Sequence, residues 1–134
     1  MICVGTTEQS SREAVEFAAA HDDIFATVGV HPHDAKDGYA DIARLAGEKN
    51  VVAVGEIGLD YYYTHSPRDV QILALETQLQ IAQDHKLPVS FHVREAFEDF
   101  WPVLDNFHGI RGVLHSFTDT IETLDTALNR GLYI

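Results

Sequence analysis

The 134 residues are 46% hydrophobic and carry one cysteine, 21 acids and nine bases, for a formal net charge of −12. This composition excludes a disordered, collagen-like or low-complexity chain and a disulfide framework, and the lack of any Lys/Arg cluster excludes duplex binding driven by phosphate neutralisation. No apolar run approaches the ~18 residues of a membrane span, and "MICVGTTEQS" lacks the basic and long apolar segments of a secretory signal, so one soluble, cytoplasmic domain over residues 1–134 is expected, without membrane or obligate protein partner.

The first apolar run, "ICVG" (2–5), reads as a strand that buries Cys3 as a small hydrophobe. Ser10 and Glu13 form a capping-box pair ahead of a helix carrying Ala14, Phe17 and Ala18. "FATVGV" (25–30) is the second strand, and a short helix is expected over 39–46. "VVAVGEI" (51–57) is the third strand; Ser66 and Pro67 then cap and open a helix with Ile72, Leu75, Leu79 and Ala82 on one face. "LPVSFH" (87–92), a helix over 96–106, "RGVLHSF" (111–117), a helix through Ile121, Leu124 and Leu128, and "GLYI" (131–134) complete six strands and five helices. Arg130 and Gly131 close the last helix. Runs apolar on both faces, alternating with helices, indicate an α/β fold with a parallel sheet. "VGTTEQSS" has no glycine-rich phosphate turn, which favours a (β/α)8 TIM-type barrel over a doubly wound sheet. A complete barrel needs eight strands and about 250 residues, so this one is incomplete.

Polar residues follow four consecutive runs: His31 after "VGV", Glu56 after "AVG", His92 after "VSF" and His115 after "GVL". Parallel strands put all four at the face where barrel enzymes build their sites. Singly, a histidine at a strand end is more often a hydrogen-bonded structural group than a ligand, and a buried glutamate must pair, bind a cation or take up a proton. Together, imidazoles converging with a carboxylate suit a divalent metal that lowers the pKa of bound water. Alternation puts Glu56 on one strand face with Val54 and Val52, and His92 with Ser90, both directed into the barrel mouth.

"GVHPHDA" (29–35), "GEIGLDYYY" (55–63), "HSPRDVQ" (65–71), "LPVSFHVREA" (87–96) and "GVLHSFTDT" (112–120) resemble, in order and spacing, the TatD family of metal-dependent deoxyribonucleases. The resemblance implies a metallo-dependent hydrolase barrel that cleaves phosphodiester bonds of DNA at a centre holding two divalent ions, Mg, Mn or Zn. It implies that Glu56 bridges the two metals and that His92 and His115 complete the second set. The resemblance suggests a place near substrate phosphate for His31 and His33, with stabilisation of the turn around Pro32 as the alternative. Arg94 is a candidate bidentate phosphate fork, with an ion pair to Glu95 as the alternative. Tyr61 belongs to a "YYYTH" stretch that offers stacking faces, although packing of at least two of its three tyrosines over the rim is expected. Asp60 is expected to order its loop, with an outer role beside the ligands left open.

Family members also carry an H-x-H strand and a late aspartate, a ligand and probable base, that have no counterpart here. The resemblance therefore implies a partial barrel with at most one well-formed metal site, no assigned catalytic residue beyond metal-bound water, and weak or absent activity in the chain alone. Single strands or 3′ ends are the expected substrates. An amidohydrolase-like ester or amide hydrolase and a truncated, non-catalytic barrel are the alternatives.

Overall fold

The computed structural model describes residues 1–134. Five strands pair in parallel and in chain order: β1 (Ile2–Val4), β2 (Phe25–Val28), β3 (Val51–Asp60), β4 (Val89–Arg94) and β5 (Gly112–Leu114). Between them run α1 (Glu8–Ala19), a 3-10 helix (Pro32–Asp37) with the short α2 (Ile42–Leu45), α3 (Arg68–His85) and α4 (Phe97–Asp105), and α5 (Ile121–Asn129) follows β5. Sequential parallel order with helical crossovers is the barrel arrangement, and here the sheet stays open between β1 and β5.

The expected sixth strand is reduced to one bridge. Leu114 N–H donates to the Tyr133 carbonyl at 2.8 Å and Tyr133 N–H to that of Gly112 at 2.9 Å, and the Val113–Tyr133 pairing extends no further.

Two helix starts also differ from expectation. Ser10 does not cap α1: Thr7 does, accepting from Ser10 N–H at 3.1 Å, while the Ser10 hydroxyl accepts from the Thr7 amide at 2.9 Å. Ser10 thus lies in the first turn of a helix that begins earlier. Ser66 does not cap α3 either, because its hydroxyl donates to the His33 carbonyl and accepts from the Lys36 amide, which fastens the loop after β2 to the base of α3. Cys3 is only partly buried.

The core lies between the sheet and the helices. Val28, Val54, Ile57, Leu59, Val89, Phe91 and Leu114 meet Leu75, Leu79, Ala82, Phe100 and Leu104. Burying a side chain such as Phe91 completely is worth about 3–5 kcal/mol against truncation to alanine.

One irregularity in β3 sets the geometry of everything that follows. Val54 pairs with Val89 and Ile57 with Phe91, so β3 holds one residue more than β4 over this stretch. Val54 and Ile57 both face the helices as a result, and Glu56 falls on the opposite, inner face. The expectation that Glu56 continues the Val52–Val54 row is corrected by this bulge, because the extra residue reverses the alternation. Ser90 and His92 do share the inner face, two residues apart without interruption.

Candidate metal centre

His92 pairs across the sheet with Gly58, flanked on β3 by Glu56 and Asp60 two residues away on either side. All four positions lie on one face, which sets the His92 ring between two carboxylates. Position 58 has no room for a side chain, since a Cβ there would collide with the His92 backbone carbonyl.

On one side, Glu56 Oε1 stands 3.6 Å from His92 Nδ1 and 3.1 Å from His115 Nδ1. Metal–ligand bonds of about 2.0–2.2 Å put neighbouring ligands about 3–3.5 Å apart, a spacing that the His115 contact has and that the His92 contact slightly exceeds, so a bound ion would draw the His92 ring closer to Glu56. Glu56 is 15% exposed and His115 61%, so the set opens to solvent on the β5 side. The His92 ring, opposed by burial and helped by His115, holds the Glu56 carboxyl at about 2.

On the other side, Asp60 Oδ2 accepts from His92 Nε2 at 2.8 Å and from His33 Nε2 at 2.9 Å. Its Oδ1 accepts from the Tyr62 and Tyr63 amides at 3.0 and 2.8 Å. Burial pushes Asp60 up, yet the Tyr63 amide, His92 and His33 outweigh it and hold its pKa below the usual value. Burial likewise pulls the His92 ring down, and the Glu56 and Asp60 carboxylates beside it overcome that, so its pKa is raised. A ring between two carboxylates takes up a second proton readily, and a cation beside Glu56 would replace that proton.

His31 packs against His92 with centroids 4.3 Å apart and the ring planes tilted by 58°. Burial first, then the neighbouring His92 and His33 rings, against weaker pulls from Glu56 and Asp60, lower its pKa to about 4. It is neutral near pH 7. One ring nitrogen from each of His31, His33 and His92 lies within 4.8 Å of the other two, a three-imidazole set that could also hold an ion. A cation taking the Nε2 atoms of that set would compete with the hydrogen bonds of His33 and His92 to Asp60, and one on the Glu56 side would replace the 3.1 Å hydrogen bond between His115 and Glu56.

The aromatic loop after β3 is ordered by Asp60. Tyr61 donates its hydroxyl to Asp99 at 2.7 Å and lies beneath the Arg68 guanidinium, 4.1 Å from its ring centroid, so this ring is tied to the barrel wall. Tyr62 and Tyr63 are the exposed members, and Tyr63 stacks with His65 at 12°. Arg94 makes no ion pair with Glu95; its guanidinium lies 3.9 Å from the Tyr62 ring centroid and 5.2 Å from that of Tyr63.

The family model of TatD related DNase matches residues 1–134. The chain belongs to the TatD family. It is 40% identical over 141 residues to the 3′-5′ ssDNA/RNA exonuclease TatD of Pantoea ananatis, covering 100% of this chain and 54% of that protein. It is 42% identical to the enzyme of the same name from a Rahnella species and 37% to that of Escherichia coli K12, again with 100% of this chain and 54% of each relative. The chain thus spans about half the length of these relatives. The crystal structure of YJJV, a TatD homologue from Escherichia coli K12, superposes with a TM-score of 0.85 at 23% identity, over 98% of this chain and 53% of that one. This likeness and the open parallel sheet together give an incomplete (β/α)8 barrel.

Within this TatD-family frame, one element that strand-end reasoning underrated is Asp60, read from sequence mainly as a loop residue. It orders the loop and also holds two histidines. Its signal was spacing: Asp60 lies four residues after Glu56 on one strand, with a glycine between them.

Proposed function

We propose that the chain carries a metal-binding part of a TatD-type nuclease site that hydrolyses phosphodiester bonds of single-stranded nucleic acid. The observation that carries this reading is the convergence of His92 Nδ1 and His115 Nδ1 on Glu56 Oε1 at the ends of three adjacent parallel strands. The metal dependence implied by the family resemblance suits this mixed nitrogen and oxygen set, which admits Mg, Mn or Zn. A bound divalent ion would supply Lewis acidity and a bound water of lowered pKa.

The chain's own residues do the rest. Glu56 stays ionised at working pH and offers a carboxylate to the ion. Asp60 orients His92, and His31 stays neutral, which leaves an uncharged ring available to hydrogen-bond a phosphate. Arg94, at the end of β4, presents a fixed guanidinium beside Tyr62 and supplies positive charge on a chain otherwise short of it. The exposed Tyr62 and Tyr63 faces would stack unpaired bases. With metal-held phosphate and no basic groove, single strands and 3′ ends are favoured over duplex, in keeping with the ssDNA/RNA exonuclease names of the relatives. One three-donor set implies a single tight divalent ion per chain and weak turnover.

The protein should be incubated with Mg²⁺, Mn²⁺ or Zn²⁺ and with labelled single strands, duplexes and a simple aryl ester. Metal-dependent shortening of single strands from the 3′ end is the expected result. Ester hydrolysis without nucleic-acid cleavage would transfer the reading to the amidohydrolase alternative, and metal binding with no hydrolysis of any substrate would support a non-catalytic barrel.

A further inference from the structure

We propose that Asp60 is a positioning residue for the metal site, one that locks His92 in its Nε2–H tautomer and so leaves the Nδ1 lone pair for a cation held with Glu56 and His115. This rests on the reading of that site given above.

The geometry leaves Asp60 one arrangement. Its side chain is 1% exposed, and its two oxygens receive four donors: the Tyr62 and Tyr63 amides on Oδ1, the His33 and His92 rings on Oδ2. An ionised carboxylate only accepts, so each of these rings must present an N–H at Nε2. A neutral His92 then carries its lone pair on Nδ1, the atom that faces Glu56. Second partners of this kind fix the ring plane and raise the basicity of a metal-binding histidine.

Asp60 is itself held against rotation. Gln71, buried on α3, accepts from the Asp60 amide through Oε1 at 2.8 Å and donates through Nε2 to the Asp60 carbonyl at 3.0 Å. Its Nε2 also donates to the Ser66 carbonyl at 2.9 Å, which joins the end of β3 to the start of α3. The acid is therefore preorganised by groups that do not touch the candidate metal position. The same oxygen reaches His33, so one carboxylate sets the tautomers of a ring on β4 and a ring in the 3-10 helix after β2.

Asp60→Asn is the diagnostic variant. The amide oxygen can still accept from Tyr62 and Tyr63, which preserves the loop, but the NH₂ group then points at the two ring nitrogens. His92 must offer a lone pair at Nε2 and move its proton to Nδ1, where it blocks the cation. Shape is retained while the tautomer inverts.

The test uses ¹⁵N NMR of the metal-free protein at alkaline pH, with the His92 ring assigned by its loss in His92→Gln, together with Co²⁺ titration. The unaltered protein is expected to show the Nε2–H tautomer and Asp60→Asn the Nδ1–H tautomer, with Co²⁺ affinity lowered about 10- to 100-fold and the circular dichroism unchanged. An Nδ1–H tautomer in the unaltered protein, or undiminished Co²⁺ affinity in Asp60→Asn, overturns the proposal. Should Asp60→Asn fail to fold, the tautomer of the unaltered protein decides alone. Failure of the unaltered protein to bind Co²⁺ would instead remove the metal reading, and this proposal with it; normal binding with an Nδ1–H ring removes only the role of Asp60.

Discussion

Gly58 lies directly opposite His92 in the β3–β4 pairing, and the space that a side chain would fill at position 58 is occupied by the His92 backbone carbonyl. The missing side chain lets β4 approach closely enough for one ring to reach both Glu56 and Asp60. Gly58→Ala should force the two strands apart and cost about 1–3 kcal/mol. Urea denaturation measures the loss, and unchanged stability would mean that β4 can shift without penalty.

Acid should weaken the protein in two stages. His31 has a folded pKa of about 4 against 6.5 unfolded, so between those values the unfolded chain binds more protons and stability falls as the pH drops from about 6.5 to 4. Glu56, about 2 folded against 4.5 unfolded, contributes stability that is complete above 4.5 and lost as the pH falls towards 2. Thermal melts of His31→Gln across pH 4–7 should show a flatter dependence than those of the unaltered protein.

The exposed Tyr62 and Tyr63 rings should contribute to single-strand binding. Base stacking on an aromatic ring is worth about 1–3 kcal/mol per base, so Tyr62→Ala should weaken oligonucleotide binding about tenfold in fluorescence anisotropy. Tyr61→Phe removes only the hydroxyl bond to Asp99, and its effect should appear in stability and not in affinity.

Away from Glu56 and His92, the inner face of the open sheet is largely apolar. Ile2, Val4, Ala53, Val113 and Tyr133 line a 480 Å³ hollow, and Ile2, Val4 and Tyr133 are more than half exposed. Apolar surface beside the open β1 edge promotes association, so sedimentation velocity should show concentration-dependent oligomers that Val4→Lys reduces.

Much of the architecture was legible because it is periodic. Helical spacing from Ile72 to Ala82 and from Ile121 to Leu128, and apolar runs ending at His31, Glu56, His92 and His115, mark α3, α5 and the strand ends without reference to distant contacts. What escaped depends on such contacts. Ser66 looked like a cap until the His33 carbonyl and Lys36 amide claimed its hydroxyl, and the capping of α1 moved from Ser10 and Glu13 to Thr7 because the Ser10 hydroxyl faces backward along the chain. The β3 bulge reverses the face of Glu56, and no run of apolar letters records an inserted residue that only pairing with β4 defines. Asp60 is the same case: its role exists only once β3, β4 and the loop after β2 meet.

The measurement closest to the central claim is calorimetric titration of the protein with Mn²⁺ or Zn²⁺, repeated for Glu56→Gln and His31→Gln. One tightly bound ion per chain is expected, lost or weakened at least about tenfold in Glu56→Gln and little changed in His31→Gln. Binding that survives Glu56→Gln and disappears in His31→Gln would put the ion among His31, His33 and His92 and contradict the site described.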